Sequence, residues 1–98
     1  MERGGFVYII TNKSNQVLYV GVTSQLRNRI WEHKMKIYAR SFSTRYNLNK
    51  LVYFETYLDI EEAIAREKQL KGGSRRKKIE LIQTENPEWK ELYDEIEE

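Results

Sequence analysis

Two apolar runs near the start of the chain, "FVYIIT" over residues 6–11 and "VLYVGV" over residues 17–22, are rich in valine, isoleucine and tyrosine. The polar segment "NKSNQ" between them consists of turn formers, so the pattern predicts a β-hairpin. Apolar side chains occur at odd and even positions of both runs, which is typical of a sheet covered on both faces. A third run, "KLVYFETY" over residues 50–57, has the same character and predicts a third strand.

The spacing of apolar residues lengthens from two to about four after the hairpin, which indicates a helix. Leu26, Ile30 and Ile37 predict this helix over about residues 25–38. The segment that follows, residues 39–49, has no clean periodicity and is interpreted as a loop.

Three further helices are predicted after the third strand. Asp59, with Glu62 three residues later, resembles a capping box and opens the first of them, which a "KGG" segment ends. Ser74 is a suitable N-cap for the second, over "RRKKIELIQ". An Asn-Pro pair then predicts an acidic C-terminal helix over about residues 87–97.

These elements predict an α/β (α+β) fold, a small three-stranded antiparallel sheet flanked by helices on its faces. At 98 residues the chain is long enough for one hydrophobic core and too short for two. We therefore expect a single domain over residues 1–98, with its core over about residues 5–82.

Charge is distributed unevenly along the chain. Residues 1–78 carry 16 lysines and arginines against 7 acids, whereas residues 79–98 carry 1 lysine against 8 acids. The basic body favours a polyanionic partner such as nucleic acid, although lysines that serve solubility are the commoner explanation of such a surface.

The absence of cysteine excludes disulfides and thiolate metal sites, so a metal would need oxygen or imidazole ligands. The first residues do not resemble a signal peptide, and no apolar run reaches the length of a membrane span. We therefore expect a cytoplasmic protein without a membrane partner.

Glu67 occupies a position at which the helix pattern requires an apolar side chain. Helical spacing from Ile60 leads through Ala63 and Ile64 to this glutamate. A buried, unpaired carboxylate costs several kcal/mol, so the group must be protonated, paired with a cation or bound to a metal. A structural ion pair or a hydroxyl network is the simplest of these explanations.

Arg29 and His33 lie four residues apart on the first predicted helix and therefore share one face. A guanidinium can bind a phosphate with two hydrogen bonds, and an imidazole can orient a water or move a proton near neutral pH. The alternative is a solvated arginine beside a packed histidine that has no chemical role.

Each strand of the hairpin carries one tyrosine, Tyr8 and Tyr19. If Thr11 and Gln16 close the turn, the two tyrosines stand directly opposite each other on one face. Core packing would account for the rings but not for the hydroxyls, which need partners when they are buried. A phenol can position a water, or act as a base if its pKa of about 10 is lowered.

The segment "GGSRRKK" places four consecutive cations in the first turn of a helix, where they oppose the helix dipole. Contact with a phosphate would compensate for this arrangement, whereas a solvated basic turn is the alternative. The predicted nucleic-acid-binding residues are Arg27, Lys71, Arg75, Arg76, Lys77 and Lys78.

Taken together, these features resemble the GIY-YIG nuclease family. The two motifs that give the family its name match "FVY" at residues 6–8 and "YVG" at residues 19–21. The family's helix arginine matches Arg29, its histidine or tyrosine position matches His33, and its metal-binding glutamate matches Glu67.

The resemblance covers about residues 5–82. In size and in the segment "LKGGSRRKKIELI" the chain is similar to the short stand-alone bacterial members, and so to the catalytic domain of the excinuclease and to structure-specific endonucleases. One departure is Phe6, which stands where the family name has its first glycine.

The resemblance implies a metal-dependent endonuclease that hydrolyses DNA phosphodiester bonds, with DNA repair or recombination among the expected roles and duplex or branched DNA as the partner. It also implies one divalent ion, Mg²⁺ or Mn²⁺, on Glu67. Arg29 would hold the scissile phosphate, and Tyr8, Tyr19 or His33 would position or deprotonate the attacking water. The sequence does not divide the last role among these three residues.

Two other classes of function stay open. A binding module with the same fold could hold nucleic acid through the basic body without cutting it, and would show salt-dependent binding with no cleavage. An adaptor could contact proteins through the acidic tail at residues 88–98, which could also fold back onto the basic surface.

Overall fold

Three strands form one antiparallel sheet in the order β2-β1-β3. The structure is a computed structural model and describes residues 4–97. The strands are β1 (Gly5–Thr11), β2 (Leu18–Thr23) and β3 (Lys50–Tyr57). The predicted hairpin and third strand are therefore confirmed.

Four α-helices connect and cover these strands. They are α1 (Leu26–Lys34), α2 (Phe42–Arg45), α3 (Ile60–Gly72) and α4 (Arg75–Glu85), and a 3-10 helix follows over Tyr93–Glu95. No helix in the described part of the chain has the length and apolar character that crossing a bilayer requires.

Both helices after β3 begin at the predicted caps. The Asp59 carboxylate accepts a hydrogen bond from the Glu61 backbone N–H at 2.9 Å, and the Ser74 hydroxyl accepts one from the Lys77 N–H at 3.2 Å. These bonds satisfy N–H groups that the first helical turn leaves without a partner. Local sequence signals are therefore sufficient to start α3 and α4.

The first helix ends earlier than its apolar spacing predicts. It stops at Lys34, and Lys36 adopts a left-handed backbone conformation with φ 54° that closes the helix. Ile37 is consequently 51% exposed and does not continue the apolar stripe. The prediction missed this end because neither glycine nor asparagine, the usual residues at such a position, marks it.

The loop predicted over residues 39–49 contains the short helix α2. Ser41 caps it by accepting a hydrogen bond from the Thr44 N–H at 3.2 Å. Leu48, just after the helix, is fully buried and anchors the segment to the core. One helical turn is too short to show a periodicity, which is why the sequence pattern did not reveal it.

The acidic C-terminal helix predicted over residues 87–97 does not form. Instead of capping a helix, the Asn86 amide donates to the backbone carbonyls of Val52 and Lys90 at 3.1 and 2.9 Å. Trp89 then takes a left-handed conformation with φ 54°, which an α-helix does not contain. Bonds to a distant strand therefore override the local helix signal.

The residues after α4 form a strap along the outer edge of β3, which we define as residues 86–97. The Leu92 N–H donates to the Leu51 carbonyl at 2.8 Å, and the Glu91 carboxylate accepts from the Leu51 N–H at 2.9 Å. Glu91 also pairs with Lys34, and the Arg27 side chain donates to the Ile96 carbonyl. The acidic tail thus folds back onto α1 and β3.

Both faces of the sheet are covered, as the apolar pattern predicted. On one face, α3 and α4 pack against Val7, Ile9 and Val20. On the other, α1 and the strap enclose Tyr8 and Ile10, and the buried side chain of Ile96 joins this second cluster. The candidate residues Tyr8, Arg29 and His33 are associated with this second face.

The hairpin register differs from the prediction by two residues. Tyr8 pairs with Gly21, and Tyr19 pairs with Ile10, so the tyrosines share a face but stand diagonally. The turn is longer than expected because the Asn12 side chain accepts hydrogen bonds from the backbone N–H groups of Gln16 and Val17, at 2.8 and 3.0 Å. Such side-chain bonds decide the loop length, which the hydrophobic pattern does not encode.

Candidate active site

Tyr8 lies in the centre of the sheet with its ring across Gly21 of β2. A Cβ atom at position 21 would stand 2.3 Å from the Tyr8 hydroxyl oxygen and from the ring carbon that carries it, far inside contact distance. Only glycine therefore leaves room for the ring. The glycine of the "YVG" motif thus has a steric role, which its backbone torsion does not explain because no glycine in residues 4–97 has a positive φ.

The Tyr8 hydroxyl is hydrogen-bonded to a histidine on α1. Its oxygen is 2.9 Å from Nε2 of His33, and the other ring nitrogen, Nδ1, is 2.8 Å from the Ser43 hydroxyl on α2. All three side chains are buried, with Tyr8 only 1% exposed. The imidazole therefore joins the central strand to α2.

The direction of these hydrogen bonds follows from the donors available. Arg29 is the other group at the Tyr8 hydroxyl, and a guanidinium carries only donors, so the phenol hydrogen must go to Nε2 of His33. Neutral imidazole then carries its hydrogen on Nδ1 and donates to Ser43. We assign this tautomer from the bonding pattern.

The hydroxyls of α2 extend the same direction of donation. Ser43 and Ser41 lie 3.1 Å apart, Ser41 donates to Thr44 at 3.2 Å, and Thr44 donates to the Tyr38 carbonyl at 2.9 Å. Since a carbonyl can only accept, every hydroxyl hydrogen is used when donation runs from Tyr8 toward α2. The short helix therefore fixes the histidine tautomer from the opposite end.

Burial keeps both ring groups uncharged near neutral pH. Loss of hydration raises the pKa of Tyr8 to about 12, although Arg29 opposes that rise. Loss of hydration, together with the nearby positive charge of Arg29, lowers the pKa of His33 to about 4. A neutral histidine beside a neutral phenol is the protonation state that the assigned hydrogen bonds require.

We expect His33 to stay neutral, with its hydrogen on Nδ1, until the pH falls to about 4. The folded-state pKa lies below the ordinary value of 6.5, so the unfolded chain takes up the proton first. Stability should therefore fall as the pH drops from about 6.5 to about 4, by at most about 1.4 kcal/mol per pH unit from this group.

Long-range proton-nitrogen NMR of the His33 ring measures the tautomer and the titration directly, and denaturant unfolding at several pH values measures the slope. The control is His33→Gln, which should flatten the slope between those pH values. A histidine that titrates near 6.5, or that carries its hydrogen on Nε2, would contradict the assignment.

Arg29 lies at the open side of the Tyr8 hydroxyl. Its guanidinium pairs with Glu32 at 3.1 Å and stands 5.4 Å from the ring centre of Tyr38. Burial opposes its charge, but hydrogen bonds to Glu32 and Tyr8 together raise its pKa. The side chain is one-third exposed, so this cation can meet a ligand from solvent while its position is held from within.

Tyr19 and two residues of α3 extend the cluster across the edge of β2. The Tyr19 ring centre is 6.1 Å from that of His33, and the Lys71 ammonium lies 5.5 Å from the Tyr19 ring centre. Lys71 also pairs with Glu67 at 2.9 Å. Glu67 is therefore linked to the tyrosines through Lys71, a cation that the sequence placed only among the nucleic-acid-binding residues.

The carboxylate of Glu67 suits a hydrated divalent ion. Its side chain is 13% exposed, and Lys71 contacts one of its two oxygens. Residues 4–97 contain no group of three or more histidine, aspartate or glutamate side chains placed to share a metal, so a closed protein cage is excluded there. Mg²⁺ or Mn²⁺ could still bind to this carboxylate, because such ions keep several waters and accept substrate oxygens as ligands.

The predicted basic turn lies elsewhere, at the start of α4. Arg75, Arg76 and Lys77 are exposed, and Arg76 pairs with Glu80 at 3.4 Å. Lys78 is half-buried and donates to the Gly73 carbonyl at 2.9 Å. A groove of about 460 Å³ between α3 and α4 is lined in part by Lys77 and Lys78, whereas none of the tyrosines or His33 contributes to it.

The structure thus brings Tyr8, Tyr19, Arg29 and His33 into one cluster, with Glu67 and Lys71 at its edge. Arg27 belongs to another surface, since its guanidinium stands 5.6 Å from the Tyr93 ring centre in the strap. Sequence reasoning missed the positioning roles of Gly21 and Ser43. The "SFST" segment at residues 41–44, with a serine three positions before a threonine, was the one available signal for a capped turn.

Comparison with known proteins gives a consistent result. The profile described as the GIY-YIG catalytic domain matches residues 4–80. A UPF0213 protein of Syntrophus aciditrophicus is 34% identical over 83 residues, which cover 85% of this chain and 93% of that protein. A UPF0213 protein of Staphylococcus haemolyticus is 36% identical over 78 residues, covering 80% and 93%.

A solved structure shares the fold. The solution NMR structure of a UPF0213 protein of Bacillus halodurans superposes with a TM-score of 0.56 at 28% identity, and the match covers 91% of this chain and 93% of that one. The three-stranded sheet with its flanking helices is therefore an arrangement found in a relative of similar length.

Proposed function

Because the chain belongs to the GIY-YIG catalytic domain family, we propose that it is an endonuclease that hydrolyses phosphodiester bonds of DNA with a divalent cation. The observation that carries the proposal is the meeting of Tyr8, Arg29 and His33 around one buried hydroxyl, although they are distant in the sequence. A core tyrosine needs one acceptor, which His33 supplies, and has no need of a cation.

Arg29 is the residue we assign to the scissile phosphate. Its guanidinium is partly exposed, is held by Glu32 and stays charged at any physiological pH. A guanidinium can donate two parallel hydrogen bonds to phosphate oxygens, and it opposes the negative charge that grows on them in the transition state. A phosphate in that position would also offset the positive charge that disfavours protonation of His33.

Tyr8 is the residue we assign to the attacking water. Its hydrogen is committed to Nε2 of His33, so the lone pairs of its oxygen are the part that can accept a hydrogen bond from water. As the water loses a proton to this oxygen, the phenol proton can pass to Nε2, and the phenol never needs to become a free phenolate. A raised Tyr8 pKa suits such a relay and disfavours a permanently ionised base.

Glu67 is the residue that would hold Mg²⁺ or Mn²⁺, with water and substrate oxygens as the other ligands. When bound, the ion supplies positive charge to the phosphoryl and leaving oxygens. Lys71 neutralises the Glu67 carboxylate in its absence and adds a cation beside Tyr19.

We expect the purified protein to nick or cut DNA in Mg²⁺ or Mn²⁺, and Glu67→Ala to abolish cutting while the domain stays folded. The measurement is a panel of linear, flapped and branched DNAs, incubated with each variant and resolved on denaturing gels. Glu62→Ala is the matched control, because it removes an exposed glutamate from the same helix.

Cleavage that survives Glu67→Ala would contradict the metal assignment. Salt-dependent binding of DNA without cleavage in any divalent metal would instead support the binding-module class. Both results presuppose the same folded state, which circular dichroism of each variant checks.

A further inference from the structure

Exposed apolar side chains gather between the end of α1 and the start of β3. Tyr38, Phe42 and Tyr46, which we call the aromatic platform, are each between 43% and 52% exposed. Soluble proteins rarely expose several large aromatic rings together without a binding role. The question is which kind of molecule covers them.

The aromatic platform is continuous with the candidate active site. The Phe42 ring lies 6.1 Å from that of Tyr19 with an interplanar angle of 29°, and the Tyr46 ring follows at 4.6 Å from Phe42. On the other side, Tyr38 carries the guanidinium of Arg29 at 5.4 Å. A strand whose phosphate contacts Arg29 would therefore pass directly beside these rings.

The charge around the aromatic platform selects a polyanion. Between Glu32 and Glu55 the chain contains no acid, and it contains the cations Lys34, Lys36, Arg40, Arg45 and Lys50. A second copy of the chain would bring the same positive charge to the interface, which opposes self-association. Phosphates of a nucleic acid would complement both the cations and the rings.

We propose that Phe42 and Tyr46 stack an unpaired base next to the scissile phosphate, so that the substrate is DNA with unpaired nucleotides at the cleavage site. This inference rests on the proposed function for the location of the phosphate. In a continuous duplex both faces of each base are occupied by its neighbours, so exposed rings have nothing to stack on. A single strand, a flap or a gap offers free base faces.

The platform is also rigid, which favours recognition. Ser41 caps α2, and Ser43, between Phe42 and Thr44, accepts the hydrogen bond of His33. The rings are thus fixed to the same short helix that positions the histidine. Aromatic rings on a rigid support lose little conformational entropy when they bind.

The test is binding in EDTA, which prevents cleavage, measured by fluorescence anisotropy with single-stranded and fully paired DNA of one sequence. We expect the single strand to bind more tightly, and Phe42→Ala or Tyr46→Ala to weaken that binding by about 5- to 100-fold, as for a lost stacking contact. Duplex binding should be unchanged. A fluorescent base analogue in the strand should be quenched by the wild type and by Phe42→Tyr, but not by Phe42→Ala.

Trp31→Leu is the matched control, because Trp31 is 45% exposed and belongs to another surface of α1, beside Tyr93. An equal loss for both DNAs, a loss of the same size in Trp31→Leu, or a dimer that Phe42→Ala dissociates would overturn the inference. Cleavage of paired DNA that is insensitive to Phe42 would overturn it and leave the proposed function intact. Stacking without cleavage in any metal would do the reverse.

Discussion

Replacing Arg29 with alanine is expected to lower the rate of DNA cleavage on the order of 10²–10³-fold, the usual effect of removing one transition-state hydrogen-bond donor. The substitution removes the only cation that contacts the Tyr8 hydroxyl in the described structure. Its cost in stability should be small, at most about 1 kcal/mol, because the ion pair with Glu32 is partly exposed. Single-turnover cleavage at saturating metal measures the rate, and denaturant unfolding measures the stability.

Two controls separate chemistry from charge. Lys13→Ala removes one positive charge at the exposed hairpin tip and should leave the rate unchanged. Arg29→Lys keeps the charge without the planar, two-pronged donor, so only part of the activity should return. Because Arg29 also depresses the pKa of His33, that pKa should rise in the alanine variant. A wild-type rate in Arg29→Ala would refute the assignment of the phosphate contact.

Replacing Gly21 with alanine should damage the site without touching any polar group. The new methyl would overlap the Tyr8 ring, and Tyr8 is too deeply buried to move freely. Overpacking of this kind costs about 1–3 kcal/mol, and a displacement of about 1 Å at a reacting group can lower the rate about 10²-fold. Thermal unfolding and cleavage rates measure the two effects, and the NMR signals of the His33 ring report its contact with Tyr8.

The matched control is Gly72→Ala at the end of α3, where an added methyl meets no atom within 4 Å. That variant should keep full activity and lose no stability, since alanine is the better helix former. If Gly21→Ala and Gly72→Ala behaved alike, the close contact between Tyr8 and β2 could not be what the glycine serves.

The parts of the fold that follow from short-range signals were predictable. The strands, α3 and α4 were found because alternation, caps and helical spacing lie within each segment. The hairpin register, the helix α2 and the strap were not, because contacts made by Asn12, Ser41 and Asn86 decide them. The Asn86 amide, for example, bonds to a carbonyl 34 residues away in the sequence.

The candidate site shows the same division. Arg29 and His33 could be paired from helical spacing, and Tyr8 and Tyr19 from sharing a face of the hairpin. The order in which His33 lies between the two tyrosines, and the acceptor that Ser43 provides, exist only in the folded chain. Spacing can suggest which side chains share a face, but it cannot give the direction of a hydrogen bond.

The strap also bears on where the domain ends. Sequence similarity to the family stops at residue 80, yet Ile96 completes the core cluster around Tyr8, and residues 91 and 92 bond to the outer edge of β3. The unit that folds is therefore longer than the unit that the family shares. A fragment cut at the boundary of similarity would expose β3 as an unpaired edge, and such edges tend to pair with strands of other molecules.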